Sequence, residues 1–116
     1  MPHPDDVATT CHQAAAVMRE IGETLRAVGL PGKRKTLVNH AALVEAEGDH
    51  AEDHPDDIDV NTLGGVCSDA IEELKRCADL LRTFGLIDES KLARRAIEHL
   101  GRLHYDILSD TQPIDT

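Results

Sequence analysis

Two histidines four residues apart, in His50-Ala-Glu-Asp-His54, are the side chains of this sequence best suited to chemistry. On a helix that spacing places both imidazoles on one face, and two nitrogen donors plus one carboxylate suit Zn²⁺ or a similar divalent ion. Asp49, Asp53 and Asp57 are at hand as a third ligand. Gly48 and Pro55 flank the segment, so the pair faces one way only if the helix persists that far. His3, Asp6 and His104 are further donors if the topology gathers them at the same place. A cation held by this set would make the protein a metal carrier, or a metal-dependent hydrolase acting on a substrate such as a nucleotide.

Shorter matches carry less. Glu47-x-x-His50 resembles the Glu-x-x-His element of di-iron four-helix bundles, but such centres need a second copy of the element, and none occurs here. Glu20-Ile-Gly-Glu23 and Asp69-Ala-Ile-Glu72 are similar to the spaced carboxylates with which small helical nucleotide pyrophosphohydrolases hold Mg²⁺. The partner Glu-x-x-Asp of that pattern is missing. Gly29-Leu-Pro-Gly32-Lys33-Arg34-Lys35-Thr36 fails as a phosphate loop on the spacing of its glycines and on the residue after Lys33. Arg94-x4-His99 is similar to an element of helical ribonuclease domains, with Gly101 where a tyrosine commonly follows. No complete catalytic or cofactor motif is present, and a divalent cation is the cofactor class the residues suit.

The elements that must position these residues are helices. Aromatics make up 2% of the chain, and its apolar residues are mainly Ala, Leu, Val and Ile without strand-like alternation. Val7, Cys11, Ala14, Met18, Ile21, Leu25 and Val28 advance by alternating steps of 4 and 3, as do Leu63, Cys67, Ala70, Leu74, Cys77, Leu81 and Phe84. Each set is an a/d seam of a helix packed in a bundle. Each ends at a Gly-Leu pair, Gly29-Leu30 and Gly85-Leu86, where glycine can adopt the left-handed conformation that stops a helix. A second helix follows each turn. One starts near Lys33 and carries Leu37, Ala41, Val44 and Ala51; the other starts after Asp88 or Ser90 and carries Ala93, Ala96, Ile97, Leu100, Leu103 and Ile107.

The two halves read as a duplication. Cys11/Cys67, Ala14/Ala70, Leu25/Leu81, Arg26/Arg82, Gly29/Gly85 and Leu30/Leu86 recur at an offset of 56. Separately, His3-Pro4-Asp5-Asp6 recurs as His54-Pro55-Asp56-Asp57 ahead of the same helix. The expectation is an all-α, up-down-up-down four-helix bundle with pseudo-twofold symmetry. It is one domain over residues 1–116, with hairpin repeats at about 3–51 and 54–110 and a polar connection from about Gly48 to Asp59.

That topology separates the charges. One end collects Asp5, Asp6, Asp49, Glu52, Asp53, Asp56, Asp57, Asp59, Asp106, Asp110 and Asp115, which is half of the 22 acids, without a single Lys or Arg. His3, His50, His54 and His104 join them. The other end holds Lys33, Arg34, Lys35, Lys91, Arg94 and Arg95. The net charge of −10 and the lack of aromatics for base stacking make the chain a poor candidate for binding nucleic acid and disfavour anionic membranes. No leader and no apolar run long enough for a membrane span is seen. Three cysteines, none in a CxxC pair, fit a reduced cytoplasmic protein. The leading functional expectation is a non-enzymatic binding module for a protein partner or a second copy of itself, through apolar residues beside the seams such as Leu30, Val38, Leu43, Ile71, Leu80, Leu86 and Ile87. The metal-dependent reading above is the alternative.

Overall fold

The computed structural model describes residues 3–111, with side chains described for 3–109. Four helices follow one another: α1 (Pro4–Ala27), α2 (Pro31–Asp53), α3 (Val60–Thr83) and α4 (Ile87–Thr111). The hairpin partners α1/α2 and α3/α4 pack most extensively, and α1/α4 and α2/α3 close the ring, giving an up-down-up-down bundle. No strand occurs among the described residues, and none of their helices is long and apolar enough to cross a membrane.

Local chemistry sets the helix ends. Nδ1 of His3 accepts the Asp5 backbone N–H at 3.1 Å, with Pro4 at the first helical position and Asp5 and Asp6 in the first turn, where carboxylates favour the helix dipole. Asp59 caps α3 through Oδ1, which accepts the N–H groups of Asn61 and Thr62 at 3.0 and 3.3 Å, and through Oδ2, which accepts the Thr62 hydroxyl at 2.9 Å. These bonds favour the ionised form and hold the Asp59 carboxyl below its ordinary range. The two interhelical turns share one geometry. Gly29 and Gly85 have φ of +86° and +78°, and Leu30 and Leu86 donate their N–H to Leu25 and Leu81 carbonyls at 2.9 and 2.8 Å. This left-handed glycine stop satisfies the last helical carbonyls and reverses the chain within three residues.

Both a/d seams are buried from Val7 to Leu25 and from Leu63 to Leu81, facing Leu37, Ala41, Val44, Ala93, Leu100 and Ile107 from the return helices. The last member of each seam departs from expectation. Val28 and Phe84 are C-cap residues, beyond the final helical turn, so their side chains leave the seam; Phe84 is half exposed. The return helices also begin earlier than expected, at Pro31 and Ile87. Ser90 is not a cap but a buried hydroxyl, donating to the Ala78 carbonyl of α3 at 3.0 Å.

The largest difference lies at Gly48. It is not the start of the connection but a buried residue inside α2, which runs on to Asp53 and leaves only residues 54–59 as the link to α3. A Cβ at Gly48 would lie 2.8 Å from the His12 ring and 3.0 Å from Cys11 Cβ, so α1 and α2 meet there closely enough that a side chain would displace the His12 ring and press on Cys11.

Candidate functional site

The acidic end forms as the topology requires, where α1 and α3 start and α2 and α4 finish. Because α2 persists to Asp53, His50 and His54 do share a face, with ring centroids 5.1 Å apart and planes tilted by 39°. Nε2 of His50 hydrogen-bonds the Asp57 backbone carbonyl at 2.6 Å and therefore carries the proton, with the Asp57 carboxylate 4.0 Å away. His54 is the C-cap of α2, its backbone N–H donating to the His50 carbonyl at 2.7 Å. Asp53 points to solvent.

The other expected ligands go elsewhere. His3 spends Nδ1 on its own helix start. Asp6 lines a depression between α1 and α4 with Arg102 and Asp106. His104 packs from α4 over Gly64 of α3. Among the described residues no three His, Cys, Asp or Glu side chains converge as a metal site. The side chain of Asp110, and Asp115, lie outside the described residues. Of the spaced carboxylates, Glu20, Asp69 and Glu72 are exposed, and Glu23 is occupied by Arg26 at 2.9 Å and Arg34 at 3.4 Å.

Three polar residues take places that the sequence did not indicate. His12, on α1, bonds Asp49 through Nε2 at 2.9 Å and lies over Gly48. A glycine in mid-helix was the available signal, because it marks a close approach, but only the register of α1 on α2 identifies the neighbour. Glu47 lines a depression with His50 and Asp59; burial raises its pKa, with His50 acting against the rise and Asp59 adding to it. Glu73 is 2% exposed, held by Arg76 at 3.3 Å and by the Cys77 thiol at 3.9 Å. Its place beside the Leu74 seam position gave no hint of burial.

The cysteines are closed to chemistry. All three are buried free thiols, each pushed up to about 12 chiefly by burial. Neighbouring acidic groups add to the rise: Cys67 and Glu47 at Cys11, Glu47 at Cys67, and Glu73 at Cys77. A nucleophilic thiol needs the opposite setting, positive and partly exposed.

The most apolar concavity is a groove between the two hairpins, along α1 and α4. Ala14, Val17, Leu92 and Ala96 form its floor, Gln13 stands on the α1 side, and Arg95 and His99 on the α4 side, around a volume of about 330 Å³. Depressions at both ends extend it. One holds Glu20, Asp88, Glu89 and Lys91; the other holds Asp6, Thr10, Arg102 and Asp106. Val17 and Leu92 are only partly buried although both pack on the core. The groove exists because small side chains, Ala14 and Ala96, occupy the α1/α4 crossing where larger ones would fill it. It is not legible in the sequence because it depends on how α1 and α4, whose groove residues lie some eighty positions apart, set against each other.

No protein family, no curated protein and no solved structure matches the chain.

Proposed function

We propose that this protein is a non-enzymatic interaction module whose α1/α4 groove receives a helix of a protein partner. The observation that carries the reading is the groove itself: an apolar floor between two antiparallel helices, with a mixed polar and apolar depression adjoining it at each end. Alanines on its floor let a guest backbone approach, and half-buried Val17 and Leu92 supply the apolar contact. The buried thiols and the solvent-facing carboxylate pairs offer no assembled chemistry against which a reaction could be written. Three free thiols suit a reducing compartment such as the cytoplasm.

Val17→Glu tests this. The position is half-buried at the groove, so the new carboxylate reaches solvent and the bundle stays folded, with stability lowered by about 1 kcal/mol. Binding of a synthetic leucine-faced helical peptide, read by fluorescence anisotropy, is expected to vanish in the variant. Undiminished binding would exclude the groove as the docking face.

A second reading, a divalent cation at the acidic end, draws on the 5.1 Å approach of the His50 and His54 rings. It is the weaker of the two, because the His50 Nε2 is committed to the Asp57 carbonyl and no third ligand converges. Thermal melts with Zn²⁺, Mn²⁺, Mg²⁺ or Ca²⁺ are expected to superimpose on the melt in EDTA. A saturable rise for one ion, lost in the His50→Ala/His54→Ala variant, would reverse the order of the two readings.

A further inference from the structure

We infer that the helix received by the α1/α4 groove is acidic: an amphipathic segment whose apolar face is flanked by carboxylates about two turns apart. The inference rests on the docking role proposed for the groove and adds the chemistry of the guest. α4 sets Arg95, His99 and Arg102 along one side of the channel, one residue per turn. The facing stretch of α1 is uncharged over Thr10, Gln13 and Val17 and carries carboxylates at its two limits, Asp6 beside Arg102 and Glu20 beside Arg95. Neither Arg95 nor Arg102 forms an ion pair among the described residues, although the chain has 22 acids for 12 Lys plus Arg.

Five of the other arginines are partnered, while Arg82, near the opposite turn, has no ion pair among the described residues either. Arg19 is clamped by Glu45 at 2.6 Å, Arg76 by Glu73 at 3.3 Å, and Arg94, adjacent to Arg95 in sequence, by Asp79 at 3.7 Å. Two unpaired guanidiniums beside an apolar floor are the arrangement that recognises carboxylates on an amphipathic helix, since arginine binds them in a planar, two-pronged fashion. Each arginine shares its end of the groove with acids, Arg95 with Glu20, Asp88 and Glu89 and Arg102 with Asp6 and Asp106, none of them within ion-pair distance. These acids repel a guest that is acidic throughout and so favour carboxylates confined to its middle turns.

The test uses three leucine-faced helical peptides, identical except for two flanking positions seven residues apart that carry Glu, Gln or Lys. Anisotropy titrations at low salt are expected to rank Glu above Gln above Lys, with Glu about tenfold tighter than Gln. The preference should shrink at about 0.5 M salt, where such pairs are screened. In the Arg95→Gln/Arg102→Gln protein, whose substitutions are on exposed side chains, the Glu and Gln peptides should bind alike, at the affinity of the Gln peptide for the parent. Equal binding of Glu and Gln peptides to the parent protein, or a preference for Lys, overturns the acidic guest while leaving the groove as a docking site. Failure of all three peptides to bind removes the docking role, and the acidic guest with it. A concentration-dependent doubling of mass in sedimentation equilibrium, abolished by Val17→Glu, would identify the occupant as a second copy of this chain and overturn the inference.

Discussion

Stability is expected to fall steeply between pH 9 and pH 12, and the cause is the three core thiols. Each is raised from 9.0 to about 12 in the folded protein, while the unfolded chain titrates near the ordinary value. Above pH 9 the unfolded state therefore loses protons that the folded state keeps, so the thiols' contribution is whole below pH 9 and drains away as pH rises. Each raised thiol contributes a slope of up to about 1.4 kcal/mol per pH unit, and three together about 4. Against a total stability of about 5–15 kcal/mol for a domain of this kind, that slope removes a large share of the stability within two pH units above pH 9. Urea melts at pH 8, 9, 10 and 10.5 measure the slope directly. The Cys11→Ala/Cys67→Ala/Cys77→Ala variant is less stable at pH 8, because three small cavities replace the sulfurs, yet its stability should change far less over the same range. A parent protein equally stable at pH 8 and pH 10.5 would contradict the burial of the thiols.

The second large effect separates two helical glycines by sign. Gly48→Val is expected to destabilise the protein by about 2 kcal/mol or more, whereas Gly65→Ala stabilises it by about 1 kcal/mol. At Gly65 a Cβ meets nothing within 4 Å, so only the gain in helix propensity remains. At Gly48 the Cβ falls 2.8 Å from the His12 ring and 3.0 Å from Cys11 Cβ. The imidazole can swing outward, but only by leaving its 2.9 Å bond to Asp49; Cys11 Cβ is tied to the α1 backbone and cannot yield without separating the helices. Valine then adds two methyl groups to the same space. Thermal or urea melts of the two variants against the parent decide the matter, and a neutral Gly48→Val would mean that α1 and α2 do not approach closely there.

These two predictions mark the boundary of what the sequence discloses. The alternating 4 and 3 steps that end at Gly29 and Gly85 specify the helices, their buried faces and the reversals between them, because each signal is local to one helix or one turn. The acidic end follows from topology alone. What stayed hidden depends on register between helices. Gly48 looks like a breaker until His12 is found lying over it; Glu73 looks exposed until α3 is packed. The groove requires α1 and α4 to meet at alanines, which no single helix announces. The seven candidate metal ligands share an end of the molecule as expected, but His3, Asp6 and His104 are drawn into separate local contacts, a matter of side-chain direction that charge counting cannot resolve. The origin of the two hairpins in one duplicated unit remains our inference from the repeated residues, supported by the matching glycine stops.

The measurement that tests the central claim most directly is amide chemical-shift mapping of the ¹⁵N-labelled protein titrated with the leucine-faced peptide carrying two glutamates. The shifts should concentrate on Ala14, Val17, Leu92, Arg95, Ala96 and His99, along one face of α1 and α4, and leave exposed Leu43 and Phe84 unmoved. Shifts centred on Leu43, on the Phe84 turn or on the acidic end, with the α1/α4 face silent, would contradict the assignment of the groove as the binding site.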